Sequence, residues 1–364
     1  MLTKADDYPI HQTPEPIAYS GTDRNFYDRY FFNGYERDGD LFFAAALGVY
    51  PHLNVMDAAF SVIVGGRQYN LHAAKTLHME RLDLRVGPIE IEVLEPLQVL
   101  RISVQDPDNG IAADLTFHAR FPPVEEPRFT RRIGSMTAMD YTRLTQNGTY
   151  EGYFEVDGVR HDVHRDGWWG TRDRSWGIRG VGMRDPQPNP YATTPQFFWL
   201  WAPINFEDRG TFYHLNADAE GRPWNTMGRV VSAGSATDFP TVSSRLEYRT
   251  GTRWAEQATL EFAARDGVQL TLTPGSNFYM KGLGYGHPKW GHGLYHGELE
   301  TGFEIYDLEQ LSAADPTHFH IQAICTAQLH TADGVQLQGK GILEQLVIGP
   351  YAPYGFRDLS DLSP

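Results

Sequence analysis

Apolar and polar residues alternate along most of this chain with a period of two, and a helical period is nearly absent. Turn dipeptides punctuate the alternation. Residues 101–104 and 112–117 flank Asp108-Asn109-Gly110, and residues 153–156 and 159–163 flank Asp157-Gly158. Further on, residues 259–262 and 268–272 flank Asp266-Gly267, and residues 326–330 and 335–338 flank Asp333-Gly334. Asn-Gly and Asp-Gly tolerate the positive φ angles of tight hairpins, so each set predicts two antiparallel strands and their turn. The pattern predicts an all-β fold of many short antiparallel strands, as in barrels or sandwiches. The Asp-Gly-Val turn recurs at 157, 266 and 333 without a fixed period.

At 364 residues the chain exceeds the roughly 250–300 at which a single core stops growing, so two domains are expected. Residues 183–190 carry three prolines, which cannot join a ladder, and predict a linker. The expected domains are residues 20–182 and 191–352. A composition of 41% hydrophobic and 21% charged residues is that of a folded globular chain. The net charge of −15, with no local basic run, argues against nucleic acid and anionic membrane surfaces as partners. No apolar run is long enough for a transmembrane helix. Residues 1–7 are charged and lack a signal core, so a cytoplasmic location is expected. The single cysteine, Cys325, excludes internal disulfides and reads as a small buried hydrophobe.

The densest chemistry lies in residues 165–179, where three tryptophans, two aspartates and four arginines share fifteen positions. If residues 171–177 are extended, Arg172, Arg174 and Trp176 share one face, and Asp173 and Ser175 the other. Separated by the pleat from both arginines, Asp173 can face an apolar cavity that raises its pKa and makes it a proton donor near neutral pH. The alternative is an architectural aspartate in a salt bridge, with the arginines stacked on Trp168, Trp169 or Trp176.

The segment Gly170-Thr171-Arg172-Asp173-Arg174-Ser175-Trp176-Gly177 resembles the Gly-x-x-Asp-x-x-Trp-Gly signature of the AttH and carotenoid 1,2-hydratase (hydroxyneurosporene synthase) group. Kievitone hydratase and some Diels–Alderase-type cyclases are similar at greater distance. The resemblance implies two tandem lipocalin-like (calycin) antiparallel β-barrels packed against each other, with an apolar pocket near their junction. It implies acid-assisted chemistry on terpenoid, prenyl or polyene substrates, with Asp173 in the place of the proton donor to an isolated C=C bond. Hydratases commonly carry His before that aspartate, where this chain has Arg172. The run at 286–298 resembles a branch of the group apart from the hydratases proper.

That second dense run contains His287, Trp290, His292, Tyr295, His296 and Glu298. As a strand over 291–299 it would put His292, Leu294, His296 and Glu298 on one face. Such a face can line a polar pocket, make structural hydrogen bonds or bind a divalent ion with His287 as a further ligand. The His318-Phe319-His320 pair keeps the metal alternative open. The two dense runs are expected to meet. Tyr27, Tyr30 and Tyr35 read as barrel-wall aromatics, and Trp199 and Trp201 share a face in a core strand. No Walker loop, Rossmann fingerprint or serine elbow is present, and no cofactor is expected.

The leading reading is therefore a cofactor-independent acid–base enzyme that hydrates, dehydrates, isomerises or cyclises a C=C bond of an apolar substrate. Asp173, His292 and His296 are the expected catalytic groups. Trp168, Trp176, Trp290, Tyr285, Tyr295, Trp199 and Glu298 are the expected substrate contacts. The alternatives are an intracellular carrier of a hydrophobic small molecule and a histidine-centred metal-dependent lyase or hydrolase.

Overall fold

The computed structural model describes residues 14–185, 195–263 and 267–364. Residues 1–7, Asp266 of the third predicted turn, most of the expected linker and the first residues of the expected second domain lie outside them. Among the described residues there is no α-helix, and the strands form two antiparallel sheets of 14 and 10. In each sheet the first strand pairs with a late one. Phe26–Glu36 lies beside Trp168–Ile178, and Phe197–Trp201 beside Gln336–Ile348. The other three predicted hairpins form, and Asp157 and Gly158 take the positive φ of the second (51° and 72°).

Each sheet curls round its own core. Phe32, Phe43, Phe60, Phe117, Tyr150 and Trp168 fill the first, and Phe198, Tyr213, Trp254, Phe262 and Tyr279 fill the second. Bulky rings fit in the first because a row of glycines crosses three neighbouring strands, Gly34 opposite Gly170 and Gly170 opposite Gly148. A Cβ on Gly170 would lie 2.1 Å from the Asn33 carbonyl oxygen and 2.6 Å from the Tyr150 ring. Backbone cannot yield as a side chain can. Gly170→Ala is expected to cost about 3 kcal/mol, read as a lower urea midpoint.

A third core joins the two units and follows from strand alternation. Strand Phe42–Tyr50 is buried on both faces, with Phe43, Ala45 and Leu47 turned inward and Phe42, Ala44 and Ala46 turned toward the second unit. Strand Phe197–Trp201 does the same, with Phe198 and Leu200 inward and Trp199 and Trp201 at the junction. Polar side chains in the junction are paired across it. Asn33 bonds Gln322 (3.1 Å), Asn205 bonds Tyr35 Oη (2.9 Å), and Gln68 bonds both backbone groups of Tyr279 (2.8 and 2.9 Å).

The division by sequence is broken in one place. Strand Leu299–Asp307, inside the expected second domain, pairs with Arg67–Thr76 at the edge of the first sheet. The second core also reaches beyond residue 352, through Phe356 and an Arg253–Asp361 ion pair of 2.5 Å. Cys325 is fully buried, and burial lifts its thiol pKa to about 12. No described helix is long and apolar enough to cross a membrane.

Candidate active site

Strand Trp168–Ile178 departs from negative φ only at Gly177 (136°), so the side chains before it do alternate. Arg172 and Arg174 lie on the face of the first core, where Arg172 bonds Gln146 (2.9 Å) and Arg174 pairs with Asp28 (2.9 Å). Asp173 takes the opposite face, between Phe31 and Thr145 on the neighbouring strands, and turns toward the second unit. No described residue makes a hydrogen bond to its carboxyl, and none pairs with it within 4.0 Å. It is half-buried, and it is not among the residues that line the junction cavity beside Arg143. Burial raises its pKa from 3.8 to about 7. The positive charges of Arg143 and Arg29 oppose the rise, and the carboxyls of Glu126 and Glu344 add to it.

Arg143 stands diagonally across from Asp173, beside Ser175 in register, but it is already engaged. It pairs with the buried Glu126 at 2.6 Å and lies against the rings of Phe129, Trp199 and Trp201. Beside it opens a cavity of about 540 Å³ between the two units. Tyr141, Arg143, Trp199, Tyr285, His320 and Glu344 are among the residues lining it. Glu344 accepts from Trp199 Nε1 (2.9 Å), His320 Nε2 (2.8 Å) and Gln322 Nε2 (2.8 Å). Burial pushes its pKa up, but His320, the Gln322 bond and the charge of Arg143 together outweigh this and hold it below the ordinary carboxyl range. A raised acid and an ionised carboxylate therefore face one junction, the separation of environments that acid–base sites use. Removing the indole donor with Trp199→Phe is expected to cost about 1.5–3 kcal/mol, read by denaturant unfolding.

Residues 291–298 are loop, and the strand begins only at Leu299. Gly293 and Gly297 have φ of 74° and 77°, which breaks the alternation that a strand would need. The expected constellation is therefore dispersed. His292 reaches the site, but both its nitrogens are used. Nε2 faces the Leu283 carbonyl (3.0 Å) and Nδ1 faces Arg179 Nη2 (3.2 Å). Burial and the charges of Arg29 and Arg179 hold its pKa well below 6.5, so it is a neutral acceptor for Arg179 with no free lone pair for base chemistry. His296 lies elsewhere, between Glu300 (2.7 Å) and the Lys289 carbonyl (2.9 Å), stacked on Trp290. Trp290 also stacks on His72 (5.5 Å). Glu298 is exposed beside His78, and Tyr295 is 68% exposed. Trp168 is stacked on Phe43 inside the first core, and Trp176 lies against Arg174. Of the expected contacts, Tyr285 and Trp199 line the cavity.

The two dense runs do meet, at Arg179–His292, and just beyond the first run Gly182 N–H donates to the His292 carbonyl (2.7 Å). A different trio, His72, His287 and Glu304, brings its donor atoms within 4.8 Å of one another. His287 Nδ1, however, accepts two backbone N–H groups, from Lys289 (3.0 Å) and Trp290 (2.9 Å). Its proton then sits on Nε2, directed at Glu304 (3.0 Å), so His287 offers no lone pair to an ion there. The sequence reading missed Glu126, Arg143 and Glu344, and it named Arg179 only as part of the first dense run and His320 only for the metal alternative. Of the three missed, only Glu344 carried a signal, as a lone charge in the apolar run 342–348.

A family described as "Family of unknown function (DUF8625)" matches residues 2–357. No curated protein sequence matches the chain. Among solved structures, kievitone hydratase from Nectria haematococca is similar with a TM-score of 0.50 at 13% identity, over 88% of each chain. CghA with Sch210972 is similar with a TM-score of 0.54 at 10% identity, over 89% of each chain. CghA alone gives 0.53 at 11% identity, over 93% of this chain and 89% of that one. The shared fold is the tandem lipocalin-like arrangement that the signature implied.

Proposed function

For a chain that belongs to the DUF8625 family of unknown function, we propose an enzyme that acts by acid catalysis on a C=C bond of a hydrophobic substrate held in the junction cavity. The observation that carries this reading is Asp173, a half-buried carboxyl with no described partner, diagonal in register to the cavity residue Arg143, whose pKa burial raises to about 7. The hydratase among the structural neighbours supports the reaction class. In the proposed step Asp173 gives its proton to one alkene carbon, and positive charge develops on the other. The ring faces of Trp199, Tyr141 and Tyr285 and the ionised Glu344 stabilise that charge. The Asp173 carboxylate then takes a proton back, from an attacking water in hydration or from an adjacent carbon in isomerisation or cyclisation. The same carboxyl is regenerated in each case.

A carrier with its ligand inside a barrel is less well supported, because aromatic side chains fill both cores. The test is solvent exchange. Prenylated and polyene substrates incubated with the protein in D2O should gain deuterium at an alkene carbon, and Asp173→Asn should abolish the gain. Exchange at an equal rate in the variant would remove Asp173 from the chemistry.

A further inference from the structure

Arg179 is a charge in the cavity wall that the described residues leave without a counter-ion. Among the described residues no carboxylate approaches it within 4.0 Å. Its Nη2 faces His292, its guanidinium lies over the rings of Tyr27 (4.5 Å) and Tyr285 (5.7 Å), and its buried Nε has no acceptor. Arg29, Arg143, Arg174 and Arg253 each meet a carboxylate instead. Arg172 also lacks one, but it lies over Phe117 on the first-core face, away from the cavity. A second lining arginine, Arg131, spends both Nη groups on the Gln196 carbonyl (3.2 Å each). Among the described lining residues the one carboxylate, Glu344, already accepts from three donors. The wall thus carries a net positive charge in a chain whose overall charge is −15.

We propose that Arg179 is an anion subsite, and that the ligand is an apolar body ending in an acidic oxygen group, a carboxylate or an ionised enol. This rests on reading the junction as the substrate cavity. A guanidinium matches two acceptor oxygens at once, and an attraction screened weakly by water is worth more than one at the surface. His292, neutral and anchored to Leu283, fixes the guanidinium at Nη2 and leaves Nη1, which bonds no described residue, for the guest. His292 is a positioning residue in this account.

The test uses the full chain, cis-parinaric acid and its methyl ester, with polyene fluorescence as the readout at pH 8. The wild type should bind the acid about tenfold or more tighter than the ester, the effect of one charged hydrogen-bond pair. Arg179→Met should abolish that preference, and Arg179→Lys should keep part of it. Equal affinities in the wild type would overturn the subsite, as would a preference that survives in a folded Arg179→Met protein. Binding of neither probe would overturn the cavity along with it. Acid-selective binding without any alkene exchange would instead sink the proposed catalysis and leave the subsite standing, so the two failures are distinguishable.

Discussion

At pH 8 the Asp173→Asn protein is expected to be more stable than the wild type while turning over about 10²–10⁴-fold more slowly. The stability half follows from proton linkage. The folded pKa of Asp173, about 7, lies above its ordinary 3.8. The folded state therefore binds the proton more tightly than the unfolded chain does. That contribution is complete below pH 3.8 and is lost as pH rises through about 7. Asparagine does not titrate, so the variant escapes the loss. The gap should be near zero at pH 4 and approach roughly 4 kcal/mol in the variant's favour above pH 7. Urea unfolding between pH 4 and pH 8.5 measures it. A salt-bridged aspartate gives the opposite sign, with the variant weaker at pH 8, and that result would end the acid assignment. The activity half has its own signature, since the protonated fraction of the wild type falls about tenfold per pH unit above 7.

Arg143→Met should be the most damaging single change at the junction, at about 3–5 kcal/mol. Glu126 is 2% exposed, and Arg143 is its nearest cation. Once the guanidinium is gone, the carboxylate is left buried beside Trp201 Nε1 (3.2 Å). Burial already raises the Glu126 pKa, so the orphaned group will take up a proton where pH allows. The loss should therefore deepen as pH rises, and Arg143→Met with Glu126→Gln should recover most of it. Circular dichroism melts of the single and double variants at pH 5.5 and 8 give the comparison. Should the double variant be as weak as the single, the aromatic packing of Arg143 matters more than its charge. Losing Arg143 also removes the main downward pull on Asp173, so any residual activity should extend to higher pH.

Much of the architecture was legible because its signals are local. Asp-Gly turns fix hairpins through φ, and alternation placed Asp173 opposite Arg172 and Arg174 and put Trp199 and Trp201 together. The run at 291–299 failed for an equally physical reason. Its histidines repeat with strand spacing, but Gly293 and Gly297 adopt backbone angles that a strand excludes. The partners of the site were hidden because they depend on tertiary register. Glu126 beside Glu125, and Arg143 in a mixed polar stretch, look like ordinary surface charges until the two barrels close over them. A buried ion pair leaves no mark on either residue's sequence neighbourhood.

The return of strand Leu299–Asp307 to the first sheet has a consequence for biosynthesis. Until residue 307 has emerged from the ribosome, the edge strand Arg67–Thr76 has no neighbour on its outer side. At typical elongation rates of about 5–20 residues per second, that edge stays open for roughly ten seconds after Ile178 completes the pairing on the other side of Phe26–Glu36. Unpaired strand edges template aggregation, so this interval is when a nascent chain most needs chaperone cover. A fragment ending near residue 182 would remain in that state permanently, and expressing the two halves from separate genes should yield insoluble first halves unless residues 299–307 are supplied.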